Sequence, residues 1–209
     1  VLAAVGIARV GAPGFEADDV IGTLTAQEVA RPKGERAPVE IVTGDRDLFQ
    51  LVDDDAPVRV LYTARGIGDL DVVNQARLAE KYDVVDGRAY ADMAVLRGDS
   101  SDGLPGVAGI GEKTAAALLR RYGTLDAILA AAEAGDKGLT PAQRRRITEG
   151  LPYLAVAPAV VRVAPDAPVA QVDDALPATP ADPERLVALA QQWGLTSSAT
   201  RLVDALAAL

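Results

Sequence analysis

Apolar positions along the chain follow two different periods, and the change between them falls near residue 70. Residues 1–7 read as the end of a helix, and Ala8–Gly11 as a short strand ahead of a Pro13–Gly14 turn. From Glu16 to about Ala30, Val20, Ile21, Leu24 and Val29 recur at helical spacing. The polar stretch 31–38 is a loop, Val39–Thr43 a strand broken by Gly44, Leu48–Val52 the start of a short helix, and Val58–Thr63 a second strand. Such alternation predicts an α/β sheet. Beyond Asn74 the strand signal fades, and helices are predicted at 74–82, 87–97, 112–122, 124–134 and 141–150. Pro158–Pro183 reads as a surface connection with one strand at Val160–Val163. Two closing helices follow at 183–193 and 197–208, with Trp193, Leu195, Leu202, Val203 and Leu206 as apolar anchors. The pattern therefore predicts two parts: 1–70, an α/β portion, and 71–209, a helical one. It shows no repeat of the kind that builds solenoids.

Composition narrows the chemistry. The chain has 209 residues with neither Cys nor His, which removes disulfides, thiolate nucleophiles, imidazole catalysis and Cys- or His-ligated metals. Oxygen ligands remain, and they favour hard cations, Mg²⁺ or Mn²⁺. No apolar run approaches the roughly 20 residues of a membrane helix, and the opening VLAAVGIARV lacks the features of a secretory signal. A membrane role is not expected. The opening also lacks an initiator Met and starts inside an apolar segment, so the sequence is expected to be an N-terminally truncated piece.

Acidic residues concentrate in three short clusters. Glu16, Asp18 and Asp19 open a helix, where carboxylates complement the macrodipole. Asp45 and Asp47 follow the strand 39–43, as a turn and cap would require, but also where open α/β sheets bind ligands. Asp99 and Asp102 follow the helix 87–97, where a polar loop suffices to explain them. Each cluster alone has an ordinary structural reading. Together, seven carboxylates converging on one site would repel one another unless cations neutralised them. Two divalent ions about 3.5–4 Å apart, clamping the attacking and leaving oxygens of a phosphodiester, are one such solution. Asp53–Asp55 and Asp173–Asp174 read instead as solvated turns.

A second feature is the turn Gly106-Val107-Ala108-Gly109-Ile110-Gly111, leading through Glu112, Lys113 and Thr114 into an apolar helix. Glycines at 109 and 111 allow close backbone approach. The amides of the helix start can hold a phosphate, with Lys113 adding charge. This predicts a clamp that positions a nucleic-acid backbone without reading bases. The spacing is not that of a Walker A loop.

Four stretches, GFEADDVIGTL (14–24), IVTGDRDLFQLV (41–52), GDSSDGLPGVAGIGEKTA (98–115) and WGLTSSATRL (193–202), resemble the 5′→3′ exonuclease and flap endonuclease family, which includes the nuclease portion of bacterial DNA polymerase I. The resemblance covers essentially the whole chain. It implies a PIN-like, mostly parallel α/β nuclease core, present in part, and a helical region whose helix–three-turn–helix clamp spans about 87–122. It implies that Glu16, Asp18, Asp19, Asp45, Asp47, Asp99 and Asp102 bind two Mg²⁺ or Mn²⁺ ions. The first four are assigned to a tighter ion and the last three to a looser one. Gly106, Val107, Gly109, Ile110, Gly111, Lys113 and Thr114 are its expected DNA contacts, with K⁺ held by carbonyls of the turn. Further N-terminal ligands and a basic arch of that family have no counterpart here, and Gly103 stands where many relatives have Asn. The close after RLVDALAAL fits the stand-alone exonucleases.

The implied function is metal-dependent hydrolysis of DNA at 5′ ends and flaps in replication and repair, by a cytoplasmic monomer. The net charge of −9 opposes DNA binding, but setting aside the seven acids leaves −2. Lys113, Arg120, Arg121 and Arg144–Arg146 are candidates for a local positive strip, the last run reading equally as a solvated helix face. The alternatives are a DNA-binding module that does not cut, and a PIN-like ribonuclease, against which the long GVAGIGEKTA turn argues.

Overall fold

In a computed structural model, which describes residues 1–208, the chain divides into two compact units, Val1–Val20 with the segment from Ala167 onward, and Ile21–Asp166. The helices, in chain order, are α1 (Leu2–Val5), α2 (Ala17–Val29), α3 (Gln75–Tyr82), α4 (Gly87–Arg97), α5 (Glu112–Tyr122) and α6 (Leu125–Glu133). They continue with α7 (Pro141–Glu149), α8 (Leu151–Leu154), α9 (Ala157–Val161), α10 (Pro183–Trp193) and α11 (Thr196–Leu206). The strands are β1 (Val39–Thr43), β2 (Val58–Tyr62) and β3 (Asp71–Val73), and 3₁₀ turns occupy Lys33–Glu35 and Arg46–Leu51.

The larger unit is α/β and then helical, as the apolar pattern predicts. β1 runs parallel to β2, Val39 opposite Val58 and Thr43 opposite Tyr62, and β3 adds an antiparallel edge to β2. β3 escaped the sequence reading because Asp71-Val-Val is too short to show an alternation. Ile41, Leu48, Phe49, Val58 and Val60 pack with Tyr90, Met93 and Leu96 of α4 in one continuous core. The Phe49 ring meets Tyr62 and Tyr90 edge-on, with centroids 5.0 and 5.5 Å apart, a favoured aromatic geometry.

α4 is the central helix, buried at Gly87 and from Ala89 to Leu96. Asp86 caps it by accepting from the Ala89 amide (2.7 Å). Its first residue must be small, since a Cβ on Gly87 would lie 2.4 Å from the Gln50 carbonyl oxygen. That close approach seats α4 against the 3₁₀ turn following β1. Inside α4, buried Asp92 accepts from the Leu125 amide at the start of α6 (2.8 Å) and from Arg162 (2.8 Å). α7 begins with Pro141 behind a Thr140–Gln143 capping box.

In the smaller unit, Ala4 and Val5 pack with Leu186 and Leu206, and the amides of Ala181 and Asp182 donate to the carbonyls of Val5 and Ala4 (3.1 and 2.9 Å). The anchors of the closing helices differ in part from expectation. Leu206 is buried and Leu202 and Val203 pack on that core, but Trp193 is 67% exposed at the last position of α10, beyond the stretch that Leu186 and Ala190 bury. Two expected strands are absent among the described residues. Ala8–Gly11 takes no regular structure, and Val160 and Val161 belong to α9. There, Pro158 stands in the first turn, where a helix tolerates it, and this outweighs the β-preference of the valines.

Candidate active site

The chain leaves β1 at Thr43, whose hydroxyl accepts from the Asp45 amide (2.9 Å), and the Asp45 side chain in turn accepts from the Asp47 amide (3.0 Å). One carboxylate oxygen of Asp45 is therefore the cap of the 3₁₀ turn. Gln50 fixes the far side of this turn, donating to the carbonyls of Asp47 (2.9 Å) and Val161 (3.0 Å) and accepting from Val163 (3.0 Å).

The second acidic pair enters from the end of α4. Gly98 turns the chain at φ 79°, and the Asp99 carbonyl accepts from Leu104 (2.8 Å), closing the loop that also carries Asp102. One Asp99 carboxylate oxygen accepts from the amide and hydroxyl of Ser101, the other from Arg46 at 2.5 Å, with Arg97 at 3.7 Å. The Ser101 hydroxyl first, and then the Ser101 amide and Arg46, outweigh burial and hold Asp99 down at about 2. Asp47 moves the other way. Burial, followed by repulsion from Asp45, Asp102 and Asp99, pushes it up to about 6. The larger unit thus brings Asp45, Asp47, Asp99 and Asp102 within electrostatic reach of one another.

As their side chains are placed, no three acidic groups among the described residues enclose a common metal position. Arg46 supplies one reason, since it holds Asp99 as a counter-ion. The donor set fits a hard divalent cation nonetheless. It offers only carboxylate oxygens, and a dication would offset the burial and the repulsion that together raise Asp47. Glu16, Asp18 and Asp19 belong to the smaller unit, at the entry to α2. The Glu16 amide donates to the Asp19 carboxylate (3.1 Å), which is the helix-start role their positions predict. The Asp53 carboxylate accepts from Asp55 (2.9 Å), as a turn requires.

The glycine turn is built as a rigid hairpin between α4 and α5. Gly98 and Gly106 touch backbone to backbone: a Cβ on Gly106 would lie 2.2 Å from the Arg97 carbonyl oxygen, and one on Gly98 2.4 Å from the Gly106 nitrogen. The Val107 amide donates to Leu96 (2.9 Å), and Val107 and Ile110 are buried, so their side chains pack in the core. Gly109, Gly111 and Lys113 are exposed and Thr114 is half-buried. The Glu112 and Lys113 amides are among those a helix start leaves without intrahelical partners. The Gly109 carbonyl accepts from Arg146 of α7 (3.0 Å).

Several functional side chains fall outside the sequence reading. Arg46 sits inside the 41–52 motif, where its sequence position marks it only as a turn residue. Arg97, bonded to Glu112 at 3.0 Å, ties the end of α4 to the start of α5. Tyr90 is buried with its hydroxyl unpartnered among the described residues, and its position in the sequence gives no signal of that. Of the basic candidates, Arg120 is paired with Asp83 (2.5 Å) and Arg145 with Glu149 (3.8 Å).

An α/β sheet carrying an acidic cluster, followed by a helical hairpin with a glycine turn, sets the class of fold. Residues 1–83 match the family model "5′-3′ exonuclease, N-terminal resolvase-like domain", and residues 85–184 match "5′-3′ exonuclease, C-terminal SAM fold". The chain belongs to the 5′-3′ exonuclease family. It is 58% identical to a 5′-3′ exonuclease of Streptomyces coelicolor, over 100% of this chain and 66% of that protein. To one of Mycobacterium tuberculosis it is 50% identical, over 98% of this chain and 64% of that protein. It is also 40% identical, over its whole length, to 22% of the DNA polymerase I of Mycobacterium tuberculosis. The chain thus spans 66% and 64% of the two exonucleases it matches. Among solved structures, the bacteriophage T5 flap endonuclease in complex with DNA and metal ions superposes with a TM-score of 0.57 at 16% identity, over 94% of this chain and 61% of that one. The catalytic core of Rad2 with DNA substrate gives 0.52 at 16% identity, over 98% and 66%. At such identities the likeness establishes the fold.

Proposed function

We propose that this chain is the working part of a divalent-metal-dependent 5′→3′ exonuclease and 5′-flap endonuclease, hydrolysing DNA phosphodiester bonds in replication and repair. One observation carries the reading: two acidic clusters far apart in sequence meet, and burial, with repulsion from Asp45, Asp102 and Asp99 behind it, lifts Asp47 to about 6. The cost of that arrangement suits a site made for cations. Family membership and the names of the 58% and 50% identical relatives support the same activity.

In this reading Asp45, Asp47, Asp99 and Asp102 hold Mg²⁺ or Mn²⁺, and Glu16, Asp18 and Asp19 of the smaller unit are ligands that the family resemblance alone implies. Bound there, the ions supply activation of the attacking water and charge neutralisation at the phosphodiester. The chain's own groups do the positioning. Ser101 orients Asp99 and keeps it ionised, and Arg46 supplies its counter-charge. Gly111, Lys113 and the first amides of α5 grip the sugar–phosphate backbone and set its register against the acids. The protein acts as a monomer on DNA with 5′ ends or flaps, in the cytoplasm. No helix among the described residues is long and apolar enough to cross a membrane.

The test is cleavage of a 5′-labelled flap duplex by the protein at its natural length. Mg²⁺-dependent cutting, abolished by EDTA and reduced by at least about a hundredfold in Asp99→Asn, is expected. Cutting that ignores the chelator, or flap binding with no cutting at all, refutes the proposal, the latter in favour of a non-cutting module.

A further inference from the structure

The resemblance assigns a potassium ion to the carbonyls of the 106–111 turn, and the side chains around that turn argue otherwise. The Arg146 guanidinium donates to the Gly109 carbonyl at 3.0 Å. It lies so close over this residue that a Cβ on Gly109 would come within 2.5 Å of its central carbon. Gly109 has φ 71°, so the position is both left-handed and covered by arginine. Two neighbouring carbonyls are also engaged, Val107 by the Ile110 amide (2.9 Å) and Gly111 by those of Thr114 and Ala115 (3.0 and 2.9 Å). A monovalent cation at Gly109 would face a fixed positive charge one hydrogen bond away, and the two repel.

The arginine is not a mobile surface group that happens to fall there. The next residue, Ile147, is fully buried in the core, and α7 is fixed at its start by the Thr140–Gln143 capping box. The Val107 side chain packs on the Gly150 end of the same helix, 3.4 Å from where a Cβ of Gly150 would stand. Helix and hairpin therefore form one body. Guanidinium has five donors in a planar fork. One is spent on Gly109, and the fork is the group best matched to a phosphate oxygen pair.

We propose that Arg146 takes the place of the potassium ion at this hairpin: it neutralises the Gly109 carbonyl and presents its remaining N–H groups to a DNA phosphate, so that backbone binding needs no monovalent cation. This rests on the DNA-binding part of the function proposed above.

The experiment measures flap-duplex binding by fluorescence anisotropy, in EDTA, with the protein at its natural length. Potassium chloride is compared with tetramethylammonium chloride at equal ionic strength. Wild-type affinity is expected to agree within about twofold between the two salts, and Arg146→Gln to bind roughly tenfold more weakly in tetramethylammonium. Arg146→Lys, which keeps the charge without the fork, falls between. Should Arg146→Gln fail to fold, judged by its melting curve, the wild-type salt comparison decides alone. Wild type that binds only in potassium, or Arg146→Gln that binds as wild type, overturns this inference and leaves the nuclease reading standing. Wild type that binds flap DNA in neither salt overturns the nuclease reading. In that case the Gly109–Gly111 amide NMR shifts still decide the cation question: shifts unmoved between the two salts support Arg146 as the occupant, and a potassium-specific shift refutes it.

Discussion

Replacing Asp47 with asparagine removes a charge that the metal-free fold holds at a disadvantage, so the variant is expected to be more stable than wild type. The carboxyl moves from an ordinary 3.8 to about 6, with burial the leading cause and the Asp45, Asp102 and Asp99 carboxylates behind it. An acid whose pKa is raised on folding favours the folded state at low pH. That advantage is complete below 3.8 and is lost as pH rises through about 6. At about 1.4 kcal/mol per pH unit the ceiling is about 3 kcal/mol. Screening at a half-buried site reduces this to about 1–2 kcal/mol, which corresponds to a melting shift of roughly 2–8 °C for a chain of this size. The assay is thermal unfolding of wild type and Asp47→Asn in EDTA at pH 7 and again near pH 4. Asn is expected to lead at pH 7 and to lose the lead near pH 4. Adding Mg²⁺ at pH 7 is expected to stabilise wild type more than the variant. A variant less stable than wild type at pH 7 without metal, or one whose lead persists at pH 4, refutes the argument that burial and the neighbouring carboxylates disfavour the Asp47 charge.

Further outcomes can be checked independently. Asp92→Asn is expected to cost about 2–3 kcal/mol in urea denaturation, because it weakens two bonds of a buried carboxylate, to Leu125 and Arg162. Gly106→Ala is expected to destabilise by more than about 2 kcal/mol, given φ 68° and the Arg97 carbonyl in the path of its methyl group. Gly103→Asn should change stability by less than about 0.5 kcal/mol, since φ 71° with open space around it suits Asn nearly as well as Gly. Ser101→Ala should let Asp99 rise from about 2 toward its ordinary 3.8, read by carbon-detected NMR titration. Since a depressed acid stabilises the fold above 3.8 and loses that as pH falls through 2, the same variant should lose part of its stability at neutral pH.

Element by element, the sequence is most informative where a helix shows regular apolar spacing or a terminal signal. α5 and α10 lie where their spacing places them, and α4 is announced by Asp86 and closed by Gly98. It was least informative where length or context decides. β3 is three residues long, and the valines of α9 are drawn into a helix by a proline in the right place. For the site, residue type and clustering pointed to Asp45, Asp47, Asp99 and Asp102, but no spacing rule says that Arg46 reaches across to Asp99 or Arg146 to Gly109. Those contacts join residues far apart in the chain, and only the packing of α4 and α7 creates them. The Gly103 position shows the converse case, in which a departure from the family pattern becomes intelligible once its backbone angle is known.

The backbone contact between Gly98 and Gly106 has a consequence for how such chains can diverge. Because the two ends of the stretch carrying Asp99 and Asp102 are fastened main chain to main chain, that stretch is a closed ring of fixed circumference. Exposed Ser100 is free to drift in identity and Gly103, at φ 71°, to exchange with Asn, whereas an insertion or deletion would break the seam and misplace acids and hairpin in one event. Lineages of this protein should therefore vary in spelling here and hardly ever in length.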